Sequence, residues 1–164
     1  MTTNTAGEVE HRPRWLIEPL TSATHNDARR LILDGLAERW GTMDASLNPD
    51  LDDMLHAYGE SLTLVAHPLA GGALCGTGTV IRRDAQTAEI VRMSVAFTER
   101  RSGLGRLLVD RLVEQAAAWR GREVIVETSA AWTDALAFYW ANGFAETRRE
   151  VGPFGEEVWS NRQL

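Results

Sequence analysis

Apolar residues recur at spacings of three and four in some segments and form short runs in others, which predicts a chain of both helices and strands. Residues 15–20 have the pattern of a first strand. A helix is predicted to begin at Thr24 or Asn26, either of which can cap it, and to end at about Arg39. A second, short helix is expected after Asn48-Pro49-Asp50, since proline suits a first helical turn. Its apolar side chains are expected to point inward: Leu51, Met54, Leu55 and Tyr58.

The middle of the chain predicts three strands, then a helix, then another strand. The strands are expected over residues 61–67, 74–82 and 87–96, and their short links imply antiparallel pairing. Residues 104–120 return to helical spacing, and Val124-Ile125-Val126 is a continuous apolar run, typical of a strand covered on both faces. A strand, a helix and a strand in this order form a parallel crossover unit.

The last part of the chain predicts a helix over residues 133–141 and strands over 144–150 and 157–162, joined by a glycine- and proline-rich turn. The predicted fold is therefore α/β (α+β), a mixed central sheet with antiparallel flanks around one parallel pair and about four helices. Residues 15–164 are expected to form a single domain. Residues 1–14 offer little to bury, and we expect them to form a flexible arm.

Composition narrows the range of partners. The net charge of −6 disfavours broad contact with phosphates, so we expect no nucleic-acid partner. No segment approaches the roughly 20 consecutive apolar residues of a membrane span. The polar start of the chain has no hydrophobic segment to act as a secretory signal, which predicts a cytoplasmic protein without a membrane partner. Cys75 is the only cysteine, so no CxxC site exists and we expect no metal.

The segment between the third of these strands and the following helix is the strongest candidate for ligand binding. Residues 98–106 contain two glycines and three arginines. Free amides and the helix dipole at such a helix start favour an anion, although an ordinary strand-to-helix turn is the alternative. No Gly-Lys-Ser/Thr follows, which excludes a P-loop, and the third glycine of a Rossmann loop is replaced by Leu108.

The spacing Arg100-x-x-Gly103-x-Gly105 resembles the R/Q-x-x-G-x-G/A pyrophosphate loop of the GNAT superfamily of N-acetyltransferases. The resemblance continues through residues 89–95 before the loop and through residues 135–139 and Gly143-Phe144 after it. The chain is identified as a member of this superfamily, similar to its small single-domain bacterial-type proteins. The resemblance implies the GNAT fold and acetyl-CoA as cosubstrate. It also implies transfer of the acetyl group to an amine of a small molecule or peptide.

The resemblance also implies which residues bind the coenzyme. In this family the loop amides hold the pyrophosphate, and the end of the preceding strand pairs with the pantetheine and can polarise the thioester carbonyl. Where many members have Asn seven residues before the tyrosine, this chain has Trp132, so one expected contact differs. The implied set is Met93, Ser94, Val95, Arg100, Arg101, Ser102, Gly103, Leu104, Gly105, Arg106 and Trp132.

Glu89 matches the position of the catalytic glutamate in histone-type members. An alkyl amine has a pKa near 10.4 and needs a base, directly or through water, before it can attack a thioester. Glu89 lies about 20 Å along the strand from the loop, which is comparable to an extended pantetheine arm. Strand alternation predicts Glu89 on the face of Val91, Met93 and Val95, with Arg92 opposite. A solvent-facing Glu89 is the alternative reading.

Two histidines are other candidates for the base. His56 and His67 have suitable intrinsic pKa values, but neither belongs to a matched motif.

Tyr139 matches the tyrosine that protonates the departing thiolate in this family. The alternative is a half-buried aromatic residue on an amphipathic helix.

Four carboxylates on and around the predicted second helix offer a hypothesis about the acceptor. They could draw cationic amines, or they could be an ordinary solvated acidic face. The four are Asp44, Asp50, Asp52 and Asp53.

Other functions remain open at this stage. They are a non-catalytic acyl-CoA-binding sensor module and a protein N-terminal or lysine acetyltransferase. A nucleic-acid-binding domain is weakened by the net charge. The sequence leaves open the acceptor, the acyl-chain preference and whether the chain forms a homodimer.

Overall fold

A computed structural model describes residues 12–164, which form one mixed sheet of seven strands with helices on its faces. The strands are β1 (Trp15–Pro19), β2 (Ser61–Pro68), β3 (Gly76–Arg82), β4 (Thr87–Val95), β5 (Glu123–Ser129), β6 (Ala145–Gly152) and β7 (Gly155–Gln163). The α-helices are α1 (His25–Trp40), α2 (Leu104–Ala118) and α3 (Thr133–Ala141). The arm predicted over residues 1–14 lies outside the described residues except at positions 12–14. None of the helices in the described part of the chain is long and apolar enough to cross a bilayer.

The sheet has the order β1-β2-β3-β4-β5-β7-β6. Strands β4 and β5 run parallel, and every other pairing between the described strands is antiparallel. Helix α2 links the parallel pair, because two neighbouring parallel strands need a crossover connection. This confirms the predicted mixed sheet with antiparallel flanks.

Two apolar cores cover the two faces of the sheet. Helix α2 packs on one face, and its buried residues recur at every fourth position: Leu104, Leu108, Leu112 and Ala116. The other face is covered by α1, where Ile32 joins a cluster with Leu51 and Met54. Neighbouring residues of β2 divide between the cores, Leu64 in the first and Val65 in the second, as strand alternation requires.

The predicted second helix is wrong in type. The structure has two 3-10 turns there, Ala45–Leu47 and Pro49–Asp52, so the described residues contain three α-helices, not about four. The backbone leaves helical geometry at Asn48, with φ −128° and ψ 60°, and again at Asp53, with φ −148° and ψ 70°. Intrahelical hydrogen bonds cannot propagate through such residues.

Burial in this segment agrees with the sequence only in part. Leu51 and Met54 are buried as predicted, whereas Leu55 is 41% exposed because the tight turns do not keep helical periodicity. Tyr58 is partly buried against the α1 core.

A β-bulge interrupts β4 at Arg92. Thr79 pairs with Val91 and Thr77 pairs with Ser94, so three steps along β4 oppose two steps along β3. Arg92 takes φ 55°, an uncommon value for a residue other than glycine. The extra residue reverses which side chains face each side of the sheet.

The bulge corrects the face predicted for β4. Met93 and Val95 pack against the core beneath α2, while Glu89 and Val91 lie on the opposite face. The sequence prediction assumed that side chains alternate strictly along β4. The extra residue at the bulge breaks this alternation, so the residues after Arg92 face the other side of the sheet from the one predicted. Arg92 lies on the α1 side, where its guanidinium meets Asp50.

Candidate active site

Strands β4 and β5 separate to form an open cleft. They stay paired only from Thr87 opposite Glu123 to Ile90 opposite Val126. Beyond Ile90 the bulge bends β4, and the splayed strands leave a cleft with a volume of about 1440 Å³. Among the described residues, the edge of β4 that faces β5 therefore has no strand partner from Val91 onward. Both predicted catalytic residues line this cleft.

The anion loop closes one end of the cleft. Arg101 has φ 60° and Gly103 has φ 95°, and Gly103 is the residue that precedes α2. Two left-handed residues turn the chain sharply, so the amides at the start of α2 point outward from the helix end. Gly105 lies in the first turn of α2, and an added Cβ there would lie 3.1 Å from the Phe138 ring. The absence of that Cβ lets α3 approach the loop closely.

The three loop arginines have different environments. Arg100 is held by the protein, since its Nε donates to the Val95 carbonyl (3.2 Å) and its Nη2 to Glu38 (2.6 Å). Arg101 is exposed and forms no ion pair within residues 12–164. The Arg106 side chain is 76% exposed, and its contact with Asp110 is loose, with 3.9 Å between Nε and Oδ2. Arg101 and Arg106 are thus free to meet an anion, whereas Arg100 braces the loop.

The remaining loop side chains shape the turn. The Ser102 hydroxyl donates to the Glu99 carbonyl, and Leu104, the first residue of α2, is fully buried in the core between α2 and the sheet. Any coenzyme contact by these two residues would therefore use their backbone amides, and it stays a prediction.

The predicted pantetheine strand is positioned by its side chains. Ser94 Oγ donates to the Leu31 carbonyl of α1 at 3.2 Å, and Met93 and Val95 are anchored in the opposite core. With its side chains fixed on both faces, this stretch presents its free backbone edge to the cleft. Such an edge can pair with the amides of an extended ligand.

Glu89 is buried at the cleft, with 8% of its surface exposed. Its Oε2 accepts a hydrogen bond from Arg83 Nε at 2.5 Å, and the Arg83 side chain is itself half exposed. Glu89 is therefore a fixed carboxylate on the cleft wall and not the solvent-facing residue of the alternative reading.

Tyr139 is also buried on the cleft wall, with 8% of its surface exposed. Its ring packs edge-on against Phe138 and Phe144, with centroid distances of 5.2 and 5.5 Å. The hydroxyl forms no hydrogen bond in the part of the chain that the structure describes, and it reaches the cleft surface instead of being sealed in the core. Burial raises the pKa of Tyr139, although the Arg39 cation acts in the opposite direction. The phenol therefore keeps its proton at neutral pH and is available as a donor.

Trp132 belongs to a cluster that joins α1 to α3. The Arg39 guanidinium stacks over the Trp132 ring at 4.7 Å and donates to both oxygens of Asp134, at 2.9 and 3.0 Å. Trp40 adds a tilted ring contact with Trp132 at 5.4 Å. The hydrogen bonds from Arg39 hold the pKa of Asp134 below its usual value despite partial desolvation. Nothing in the sequence pointed to Arg39, because its partners Trp132 and Asp134 lie more than 90 residues further along the chain.

A second ion pair lines the α1 side of the cleft. Arg92 donates to both oxygens of Asp50, at 2.8 and 2.6 Å, and Tyr58 donates its hydroxyl to the same carboxylate at 2.5 Å. Burial opposes the ionisation of Asp50, but the hydrogen bonds from Arg92 and Tyr58 outweigh it and lower its pKa. This pair fixes the bulge and the 3-10 turn to each other.

The other acidic residues of that segment are also engaged locally. Asp44 accepts from the Ser46 amide at 2.9 Å, Asp52 pairs with Arg29 at 3.3 Å, and Asp53 pairs with His56 at 3.0 Å. These contacts favour the reading of an ordinary acidic surface. His56 is thereby used in a surface pair, and His67 lies on β2 near Glu18, so neither histidine lines the cleft.

One cleft residue gave no signal in the sequence. Glu127 on β5 lines the same cleft as Glu89 and Tyr139. Its pKa is raised, first by partial desolvation and then by the negative charges of Glu157, Glu89 and Glu150, although its side chain remains exposed to solvent.

The family profile described as Acetyltransferase (GNAT) family matches residues 28–144. This chain belongs to the GNAT family. The match runs from the first helix to Phe144, so it includes the loop, the splayed strands and α3. It confirms the family and fold that the sequence motifs predicted.

This GNAT chain is similar in sequence or in structure to several acetyltransferases. An IAA acetyltransferase of Azospirillum brasilense is 31% identical over 90 residues, which are 54% of this chain and 58% of that protein. A GNAT acetyltransferase structure from Staphylococcus aureus Mu50 superposes with a TM-score of 0.81 at 21% identity, covering 92% of this chain and 99% of that one. A GNAT acetyltransferase from Elizabethkingia anophelis with acetyl-CoA bound has a TM-score of 0.71 at 16% identity, covering 93% and 100%. At sequence identities of 21% and 16%, these two structures show a similarity of fold.

Proposed function

We propose that this chain transfers an acetyl group from acetyl-CoA to an amine of a small molecule or peptide. The observation that carries the proposal is the presence, in one cleft, of a buried carboxylate, Glu89, and of a phenol, Tyr139, whose hydroxyl forms no hydrogen bond with the described residues. A cleft that only bound acyl-CoA would need neither group. Family membership and the acetyl-CoA complex of the Elizabethkingia relative support the choice of cosubstrate.

The coenzyme would bind along the cleft from the loop to the bulge. The amides at the start of α2 would hold the pyrophosphate, aided by the exposed Arg101 and Arg106. The pantetheine amides would pair with the free edge of β4 over Met93–Val95, which lies directly before the loop. This places the thioester near the bulge, on the side where Glu89 and Tyr139 face the cleft.

The reaction would proceed by direct attack. The amine nitrogen forms a bond to the thioester carbonyl carbon, and its proton passes to the Glu89 carboxylate directly or through a water. The carbon–sulfur bond then breaks, and the thiolate takes a proton from the Tyr139 hydroxyl. Burial keeps that hydroxyl protonated at neutral pH, so it can donate as negative charge develops on the sulfur, and proton exchange with solvent then restores both Glu89 and Tyr139.

Thiol release measured with a panel of amines, peptides and other small acceptors tests the function. We expect free coenzyme thiol to appear with time, above the background without acceptor, for at least one class of amine. Tight acetyl-CoA binding with no acceptor-dependent release across the panel would favour a sensor module.

Replacement of Glu89 by Gln is expected to lower turnover by about 100-fold near neutral pH. The loss should shrink as pH rises, because the amine then arrives already deprotonated. Turnover measured across pH checks this.

Glu60→Gln is the matched control for Glu89→Gln, since Glu60 also pairs with an arginine of the same turn, Arg82, but lies outside the cleft. We expect the control to retain full turnover. Equal turnover in both variants at every pH would remove Glu89 from the mechanism.

A further inference from the structure

The last turn of α1 reaches two separate walls of the cleft. Glu38 accepts a hydrogen bond from Arg100 of the anion loop at 2.6 Å. Its neighbour Arg39 donates to both oxygens of Asp134 at the start of α3, at 2.9 and 3.0 Å. No backbone hydrogen bond joins α1 to α3 among residues 12–164. The two helices are therefore joined by side chains, with Arg39 at the centre of the contact.

Two neighbours hold the Arg39 guanidinium in place. Besides its two hydrogen bonds to Asp134, it lies over the Trp132 ring, 4.7 Å from the ring centroid. A planar guanidinium that is both paired with a carboxylate and stacked on an aromatic ring keeps little rotational freedom. Because Arg39 also lines the cleft, its positive charge is fixed at the cleft wall.

The two members of this ion pair differ in their exposure to solvent. The Arg39 side chain is 30% exposed, whereas the Asp134 side chain is 74% exposed. Water screens the exposed carboxylate more strongly than the shielded guanidinium, since the effective dielectric constant is higher around an exposed charge. The pair therefore leaves a positive field on the cleft side.

Tyr139 lies on the same side of α3 as the residues that meet Arg39. Trp132, which precedes α3, is followed by Ala135 and Tyr139 at spacings of three and four, and all three line the cleft. Helical side chains lean towards the N-terminus of their helix, so the small side chain of Ala135 leaves Tyr139 room to lean towards Arg39. Burial raises the pKa of Tyr139 and the Arg39 cation opposes that rise, which means that the field of the guanidinium reaches the phenol.

From this geometry we propose that Arg39 is a positioning residue for the acid step, whose positive charge, held at the cleft by Trp132 and Asp134, favours transfer of the Tyr139 proton to the leaving thiol. The inference rests on the proposed acetyl transfer and adds a residue that acts on the reaction through Tyr139. It gives Trp132 a role in holding that charge.

The effect of the charge follows from the balance of the acid step. As the carbon–sulfur bond breaks, its electron pair goes to sulfur and the Tyr139 proton passes to the sulfur, which leaves a phenolate. A cation that is already in place stabilises this developing negative charge without reorganisation. Proton exchange with solvent then restores the phenol.

Single-turnover thiol release by Arg39→Met measures this contribution. Methionine keeps an unbranched apolar side chain beside the Trp132 ring and removes the charge. We expect the rate of the chemical step to fall about tenfold, while acetyl-CoA affinity changes less than about twofold. Arg39→Lys retains the charge without the paired hydrogen bonds, and it should recover most of the rate.

Arg30→Met is the matched control. Arg30 also lies on α1 and pairs with a carboxylate, Asp27, but its side chain is 68% exposed and lies outside the cleft. We expect the control to retain full turnover. Equal rates for Arg39→Met and Arg30→Met would overturn the inference.

Asp134→Asn separates the charge of Arg39 from its contact between the helices. The variant removes the ion pair and keeps the cation, which the Trp132 ring still holds. We expect its rate to stay within about threefold of the wild type, because the charge beside Tyr139 remains. A loss as large as that of Arg39→Met would mean that Arg39 is only a structural link, and the inference would fail.

The double variant Arg39→Met with Tyr139→Phe tests whether Arg39 acts through the phenol. Without a phenol proton to transfer, loss of the Arg39 charge should slow the reaction little further. Losses that multiply would overturn the inference while acetyl transfer and the role of Tyr139 stand. Normal turnover of Tyr139→Phe alone would instead contradict the proposed acid step, and the inference with it.

Discussion

Gly103→Glu is expected to weaken acetyl-CoA binding by about 100-fold or more, equivalent to about 2.8 kcal/mol. Gly103 precedes α2 with φ 95°, and the space around its missing Cβ is open. The new carboxylate would stand among the amides that we assign to the pyrophosphate, and like charges a few ångströms apart repel by about 1 to 4 kcal/mol. Calorimetry with acetyl-CoA measures the loss.

Backbone strain alone must be separated from this charge effect. Gly71, in the turn between β2 and β3, has φ 90° and equally open surroundings but does not line the cleft. Gly71→Glu therefore introduces the same residue at the same backbone angle, and we expect it to bind acetyl-CoA normally. Equal affinities of a folded Gly103→Glu variant and the wild type would refute the phosphate site.

Tyr139→Phe is expected to lower turnover by roughly 10- to 1,000-fold while acetyl-CoA affinity changes little. The substitution keeps the ring contacts with Phe138 and Phe144 and removes only a hydroxyl that has no partner within residues 12–164. For the same reason the variant should fold at least as stably as the wild type. Single-turnover thiol release gives the rate of the chemical step directly.

A thiol with a lower pKa leaves more readily and needs less help from an acid. The rate loss in Tyr139→Phe should therefore shrink with acyl donors whose leaving thiol is more acidic. Full turnover of Tyr139→Phe with acetyl-CoA would show that the tyrosine only packs and that water protonates the thiolate.

The parts of the site that sequence predicted are the local ones. Arg100-x-x-Gly103-x-Gly105 encodes its own turn, because left-handed backbone angles at a helix start favour glycine and the helix amides follow from the chain itself. The spacing of four in α2 likewise fixes which face is buried. Tyr139 and Glu89 came from the family resemblance, and the structure places both on the cleft.

The parts that sequence could not predict depend on contacts between distant segments. At the bulge β3 and β4 pair out of step and Arg92 reaches Asp50, 42 residues earlier in the chain, and no local pattern encodes either fact. A continuous apolar run suggested that β5 is covered on both faces. In the structure Val124 and Val126 are buried, while Ile125 is only partly buried and Glu127 is exposed.

The charged residues of the sheet show the same limit. Glu127, Glu150 and Glu157 become neighbours only because β7 lies between β5 and β6, an order that the sequence does not state. Conversely, Asp50, Asp52 and Asp53 are close in sequence and looked like a site, yet the fold gives each of them a partner of its own: Arg92, Arg29 and His56. Which carboxylates lie near one another therefore depends on the order of strands in the sheet, not on proximity along the chain.

Acetyl transfer itself is tested most directly with acetyl-CoA labelled in the acetyl group and a mixture of polyamines, aminoglycosides, amino acids and peptides. The products are separated and located by mass spectrometry. We predict that the label moves to an amine nitrogen and that Tyr139→Phe slows this transfer. Label that stays on the coenzyme, or that is recovered only as free acetate, would contradict the account.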